Sequence, residues 1–217
     1  MVVAYALAQG MLQYCYPAID FGLRHIGARL IAVQPLAGSR IVEKVQKQRG
    51  LMALVVLPLL VLYALSVKAT AELPIFLIGL SAAGCLYAAS LDWVAWGKER
   101  FRLYGLGRAL PSLSILACAL LWWNSRAIVW WLLAGNVVGN TLQALIFLIW
   151  WKEEKPLEDK ATHPLEIRDA LAFRRTSIFG LVWLSNIAFN SIDSTMLGSM
   201  SNIREVGLYA VAYWLVN

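Results

Sequence analysis

The side chains best able to do chemistry in this 217-residue sequence are polar groups set inside apolar runs. Asn186, Asn190 and Asp193 fall at i, i+4 and i+7, which stacks two carboxamides and a carboxylate along one helical face. Ser185, Ser191, Ser194 and Thr195 widen that stripe. Asn136, Asn140 and Gln143 repeat the pattern beside Gly135 and Gly139, a GxxxG spacing that lets helices approach closely. A third set, Gln9, Gln13, Asp20 and Arg24, ends in a carboxylate and a guanidinium one helical turn apart, able to neutralise one another. Amides and charges in apolar surroundings are costly unless they face other helices or a water-filled path. Each set therefore admits two readings. It lines a hydrated cavity, or it forms interhelical hydrogen bonds that hold a bundle together.

Hydrolytic and metal-dependent chemistry lacks comparable carriers. HExxH, GxSxG, CxxC, EF-hand and P-loop patterns are missing from the sequence, so a non-enzymatic protein that does not itself hydrolyse ATP is expected. Cys15, Cys85 and Cys118 sit in apolar runs without metal-ligand spacing and read as small apolar filler. His163 stands alone in a polar stretch. The expectation is no cofactor and no metal.

The elements that must position these groups follow from composition. Of the residues, 60% are apolar and 15% charged, against about half and about a quarter in a soluble domain. An integral membrane protein is the expected class, so the excess of 19 Lys+Arg over 13 Asp+Glu speaks to orientation rather than to nucleic acid. A helix needs about 20 mostly apolar residues to cross the hydrocarbon. Six stretches qualify: 3–32, 51–68, 73–96, 110–125, 127–151 and 177–200. A seventh begins at Val206 and is cut at Asn217. The first is interrupted by Asp20, Arg24, His25 and Arg29, which places its inner third near the headgroups; the fourth is short. Period-2 alternation is absent, which excludes a β-barrel. The fold class is all-α, a polytopic transmembrane helix bundle.

Charge alternates between the connections. Segments 33–50, 98–108 and 152–176 hold fourteen cations, and Arg24 and Arg29 share their side, while Lys68, Arg126 and Arg204 stand alone on the other. The bias places the basic segments in the cytoplasm. Trp93, Trp96, Trp150 and Trp151 mark inner ends of spans, and Trp122–Trp123 and Trp130–Trp131 flank a tight outer hairpin, where indoles favour the headgroup layer. Residues 152–176, beginning KEEKPLEDKATHP, divide 1–151 from 177–217, and PLEIRDALAFRR within them suits a helix lying on the inner face or a solvated lead-in. Both termini fall in apolar runs, so a fragment of a longer protein, with a helix before Met1, is expected.

Three stretches in order resemble a known family. YPAIDFGLRHIGARLIA (16–32) is similar to the second helix of bacterial polysaccharide repeat-unit flippases, and SLDWVAWGKERFRLYGLGR (90–108) to the stretch after their fourth. NSIDSTMLGSMSNIREVGLYAVAY (190–213) resembles their seventh helix and the start of the eighth, with Asp193, Met196, Leu197, Gly198 and the turn Val206–Tyr209 in matching order. These are the O-antigen, capsule and exopolysaccharide flippases of the multidrug/oligosaccharidyl-lipid/polysaccharide exporter superfamily. The resemblance implies two six-helix lobes joined by an inner loop. On that pattern 1–151 would be five spans of the N-terminal lobe, 152–176 the inter-lobe loop and 177–217 the start of a truncated C-terminal lobe. It implies alternating access at the bacterial inner membrane, moving an undecaprenyl-diphosphate-linked oligosaccharide outward. A polysaccharide polymerase and a chain-length regulator are the implied partners beside the bilayer and the substrate. Amides suit sugar hydroxyls and an arginine suits diphosphate. The implied substrate cavity takes in Asp20, Arg24, Asn136, Asn140, Gln143, Asn186, Asn190 and Asp193, with Asp20 holding Arg24 in register. A cation-coupled small-molecule antiporter of the same superfamily, with Asp20 and Asp193 as ion sites, and a membrane-embedded enzyme or structural subunit are the alternatives.

Single cysteines at Gly38, Gly105 and Lys160 are expected to resist an impermeant thiol reagent in intact cells, while one at Asn202 reacts. Labelling of the first three before lysis would overturn the orientation.

Overall fold

A computed structural model describes residues 2–66, 73–125, 127–154 and 176–186. Among these every regular element is helical: α1 (Val2–Asp20), α2 (Leu23–Val33), a 3-10 turn (Pro35–Ala37), α3 (Gly38–Ser66), α4 (Leu73–Ala89), α5 (Asp92–Gly97), α6 (Phe101–Leu121) and α7 (Ile128–Glu154). Residues 176–186 are also helical. Four helical stretches, Pro35–Tyr63, Pro74–Gly97, Phe101–Leu121 and Ile128–Glu154, are long and apolar enough to cross a membrane. They overlap the second to fifth expected spans, the second and fourth of them displaced toward the preceding basic segment.

The first expected span is not one helix. It breaks at Phe21 and Gly22, both with positive φ (37° and 78°), a left-handed conformation that ends a right-handed helix. The chain re-enters as α2, which buries Leu23, Arg24, Gly27, Ala28 and Ile31 and leaves His25 and Arg29 outward. The sixth span is described over 176–186 alone, and the seventh lies outside the described residues.

Two basic segments expected as connections are largely helix. α3 starts at Gly38 and α6 at Phe101, so Arg40, Lys44, Lys47, Arg49, Arg102 and Arg108 stand on helical turns. A helix satisfies its own backbone and can run past the hydrocarbon boundary without a loop. The early start also gives the short fourth span its length, 21 residues. At the other end the hairpin between α6 and α7 is tight. Ser125 N–H donates to Trp122 O at 2.9 Å, and the Trp122 and Trp131 rings stack 4.1 Å apart.

Two apolar cores form. One joins Ala8, Leu12 and Ile19 of α1 to Ala53 and Leu57 of α3 and to Phe76, Leu77 and Leu80 of α4. The other joins Leu23, Ala28 and Ile31 of α2 to Ile41, Val42 and Val45 of α3, Trp93, Val94 and Ala95 of α5, and Phe147 and Trp151 of α7. Glycines set the close contacts. A Cβ at Gly97 would lie 2.6 Å from the Ala28 carbonyl oxygen, and one at Gly27 would lie 2.7 Å from the Trp93 ring. Gly135 and Gly139 of α7 meet α6 the same way, at Ser114 O (2.9 Å) and Pro111 Cα (2.5 Å), so their GxxxG spacing does bring two helices together.

Gly139→Ala is expected to lower the melting temperature of the detergent-solubilised protein, because overpacking against rigid backbone costs about 1–3 kcal/mol. Gly105→Ala, whose Cβ meets nothing within 4 Å, is the matched control and should melt at or above the wild-type temperature. Equal melting of the two variants would show that α6 and α7 can part without cost.

Candidate functional site

Charged and aromatic polar residues lie at the junction of the two cores. In α3, Arg49 lies between Val45 of one core and Ala53 of the other. Asp20 closes α1 and Arg24 opens α2 on either side of the Phe21–Gly22 break. Tyr87 sits near the end of α4 and Asp92 begins α5 across the Ser90–Leu91 break. These groups meet in one buried layer.

Asp20 and Arg49 are both fully buried and lie 2.6 Å apart, from Oδ1 to Nε. The Tyr87 hydroxyl donates to the other Asp20 oxygen at 2.6 Å. The rest of the Arg49 guanidinium caps α4: it donates to Ser90 O at 2.8 Å and to Tyr87 O at 3.0 Å. Gln46 adds a bond to Ala89 O at 2.8 Å. A helix C-terminus leaves carbonyls without partners and carries partial negative charge, so a cation there satisfies both needs.

Arg24 takes the second carboxylate. It donates to Asp92 Oδ2 at 2.8 Å and to the Tyr104 hydroxyl at 2.8 Å. Arg108, one turn beyond Tyr104 on α6, reaches the same Asp92 oxygen at 3.5 Å. Its side chain is 42% exposed, whereas those of Arg24 and Arg49 are 6% and 0%. Among the described residues the buried pairs Asp20–Arg49 and Arg24–Asp92 balance, and Arg108 adds a partly exposed third guanidinium at the layer's edge.

The expected neutralisation of Arg24 by Asp20 is replaced by an exchange of partners. The helix breaks between the two residues, so their spacing of four does not place them on one face. The residue that holds Arg24 in register is Asp92, and Asp20 belongs to Arg49. The sequence alone places Arg49 among the cations of segment 33–50 and does not single out Asp92. The local sign for Arg49 is its place at the edge of the unbroken apolar run that begins at Leu51.

The amides of α7 are buried and engaged with α1. Asn136 Nδ2 donates to Gln9 Oε1 at 3.2 Å, and Asn140 Nδ2 donates to Asn136 Oδ1 at 2.9 Å and to Asn136 O at 2.8 Å. These are interhelical and intrahelical packing bonds. Gln143 is buried one turn further, and its Nε2 has no partner among the described residues. Asn186 ends the described part of its helix on the exposed side, and Asn190 and Asp193 lie outside the described residues. The structure therefore brings Asp20 and Arg24 into one layer and Asn136 and Asn140 into one ladder. It does not join the two sets through any described contact.

Among the described residues no three His, Cys, Asp or Glu side chains converge as a metal site would require. Cys15 is buried, Cys85 exposed and Cys118 in between, all as free thiols. Compared with family models, curated proteins and solved structures, the chain matches none of them.

Removing one partner of a buried ion pair strands the other, a loss of about 3–5 kcal/mol. Arg49→Met and Asp20→Leu are each expected to cause a large fall in melting temperature and in the monodisperse yield after detergent extraction. The double variant should melt above either single one, though below wild type, because the α4 carbonyls lose their cap. Arg29→Ala, on the outward face of α2, should be silent. Additive losses in the double variant would show that the two groups act independently.

Proposed function

We propose that the chain is part of a membrane transporter that passes a lipid-linked oligosaccharide across the bilayer, as its resemblance to polysaccharide flippases implies. The observation that supports this reading is Arg108, a partly exposed guanidinium at the edge of a buried layer whose two ion pairs already balance. Here Arg108 shares an oxygen already held by Arg24 at shorter range and stays partly open. Its planar fork suits the paired oxygens of a phosphoryl group, and reduced dielectric strengthens such a contact relative to water.

Within this reading Arg24 and Arg108 have different tasks. Arg24 is spent on Asp92 and Tyr104 and fixes the layer's geometry. Arg108 offers donors to an incoming anion. The cation-antiporter alternative calls for a carboxylate free to exchange a proton or sodium ion; of its two candidates Asp20 is committed to Arg49, and Asp193 lies outside the described residues.

The test is complementation of a flippase-deficient strain by the protein, with membrane levels checked by blot. Arg108→Ala is expected to reduce surface polysaccharide at least tenfold at normal protein level, and Arg108→Lys to keep part of it. Arg24→Ala should abolish export and Arg24→Lys should retain part. Full export by a normally expressed Arg108→Ala variant would overturn this role and leave Arg108 as a headgroup anchor, where lysine snorkels equally well.

A further inference from the structure

We propose that the corner where the α5–α6 turn meets the end of α7 binds a phospholipid whose headgroup carries both a phosphodiester and a primary ammonium, phosphatidylethanolamine being the simplest. The corner uses none of the residues of the charged layer. Lys98, the residue after α5, holds its ammonium 5.0 Å from the centre of the Trp151 ring and 5.8 Å from that of Trp150. It also donates to Glu154 O at 3.3 Å, at the end of α7. Arg100 donates to Glu154 Oε1 at 3.1 Å, and Lys98 stands 4.0 Å from the same oxygen. Between the two cations Glu99 takes a positive φ of 58°, which turns the chain sharply from α5 into α6.

A clamp that only fastened the turn to α7 would use both oxygens of the carboxylate, one for each cation. Both cations converge instead on Oε1, and Oε2 is buried with no hydrogen-bond partner among the described residues. A buried acceptor left without a donor is costly, more so when it is charged. The donors are unequal in the opposite sense. Lys98 is covered by the indoles and spent on α7, whereas the Arg100 side chain is 61% exposed and keeps N–H groups to spare. The corner thus lacks one donor and offers others beside it. A headgroup with a cationic N–H at one end and an anionic oxygen at the other answers both needs. The carboxylate turns about its last torsion at little cost, so the oxygen that the cations leave can face the ammonium. A choline headgroup has the charge but no N–H to give. Position selects a lipid over a soluble zwitterion. Indoles favour the headgroup layer, and Phe101, Leu106 and Ile149 are exposed on the same ends of α6 and α7, an apolar wall for acyl chains. The site does not depend on the transport reading.

The experiment uses the purified protein in detergent micelles doped with dioleoyl phospholipids that differ only in headgroup: ethanolamine, choline or glycerol. Lipid retained per protein is counted by mass spectrometry after gel filtration. The ethanolamine lipid is expected to be held about tenfold more tightly than the choline lipid, the difference one charge-assisted hydrogen bond makes. Glu154→Gln should lower it to the choline level, Glu154→Asp should keep the preference, and Arg100→Met should weaken retention of both lipids. Arg29→Ala, elsewhere on the basic side, should retain the wild-type pattern. Each variant is compared with itself across lipids, so a general loss of stability leaves the preference readable, and the wild-type comparison decides the headgroup without any variant. Equal retention of the ethanolamine and choline lipids, or retention of the glycerol lipid as strong as that of ethanolamine, would overturn the proposal. A preference that survives Glu154→Gln would overturn the site.

Discussion

The contact between Asp20 and Arg49 is the constraint from which the rest of the architecture follows. Two opposite charges fully out of water are tolerable only if nearly every remaining donor and acceptor is used. Asp20 takes the Tyr87 hydroxyl as well as the guanidinium, and Arg49 spends its other nitrogens on carbonyls of α4. That demand fixes three helices at one height. α1 must end where Asp20 can face α3, α3 must run far enough past the basic end to bring Arg49 inward, and α4 must stop where its carbonyls meet the guanidinium. Both chain breaks at this level serve the same geometry. The Phe21–Gly22 turn ends α1 beneath its carboxylate, and the Ser90–Leu91 step frees the carbonyls that Arg49 covers and starts α5 with Asp92.

The layer divides the apolar interior into two cores, and each is packed by its own means. On the span side, α1 and α7 are joined through the chain Gln9–Asn136–Asn140. On the basic side, contact between α2 and α5 depends on Gly27 and Gly97, where backbone lies against ring and carbonyl. Within a bilayer the lipid is as apolar as the helices, so close approach and hydrogen bonding, rather than the hydrophobic effect, select which helices adjoin. This explains why the buried amides and the glycine contacts lie along the same helix faces as the cores.

Composition and apolar runs made the all-helical class and four of the crossing helices legible, because length and hydropathy are local properties. The hairpin of α6 and α7 was legible from its tryptophans, and Gly135 and Gly139 from their spacing. The layer was not. Asp20 and Arg24 look paired in one dimension because a spacing of four assumes an unbroken helix, and nothing in the four intervening bonds announces that Phe21 joins Gly22 in a left-handed conformation. Arg49 looks like a topology signal because it follows Arg40, Lys44 and Lys47, yet it lies on the opposite face to Lys47 and Gly50. Its partner is 29 residues away in sequence and on another helix. Long-range charge pairing is set by how helices adjoin, which no local pattern encodes. Asn136 and Asn140 were found for the right reason, their spacing, but spacing alone left a cavity and a packing contact equally open; the bond to Gln9 favours packing.

The unequal treatment of the three guanidiniums carries the functional argument further than their number does. A site that must hold its shape and still receive a ligand needs some groups saturated and at least one that is not. Arg49 spends its three nitrogens on a carboxylate and two carbonyls, and Arg24 holds a carboxylate and a phenol through Nη2. Arg108 has only the far approach to an oxygen that Arg24 already holds. An anion arriving there would meet donors whose positions are fixed by α5 and α6, while Asp92 keeps its closer contact with Arg24. Binding would then require no rearrangement of the buried pairs, whose disruption costs more than a surface contact returns.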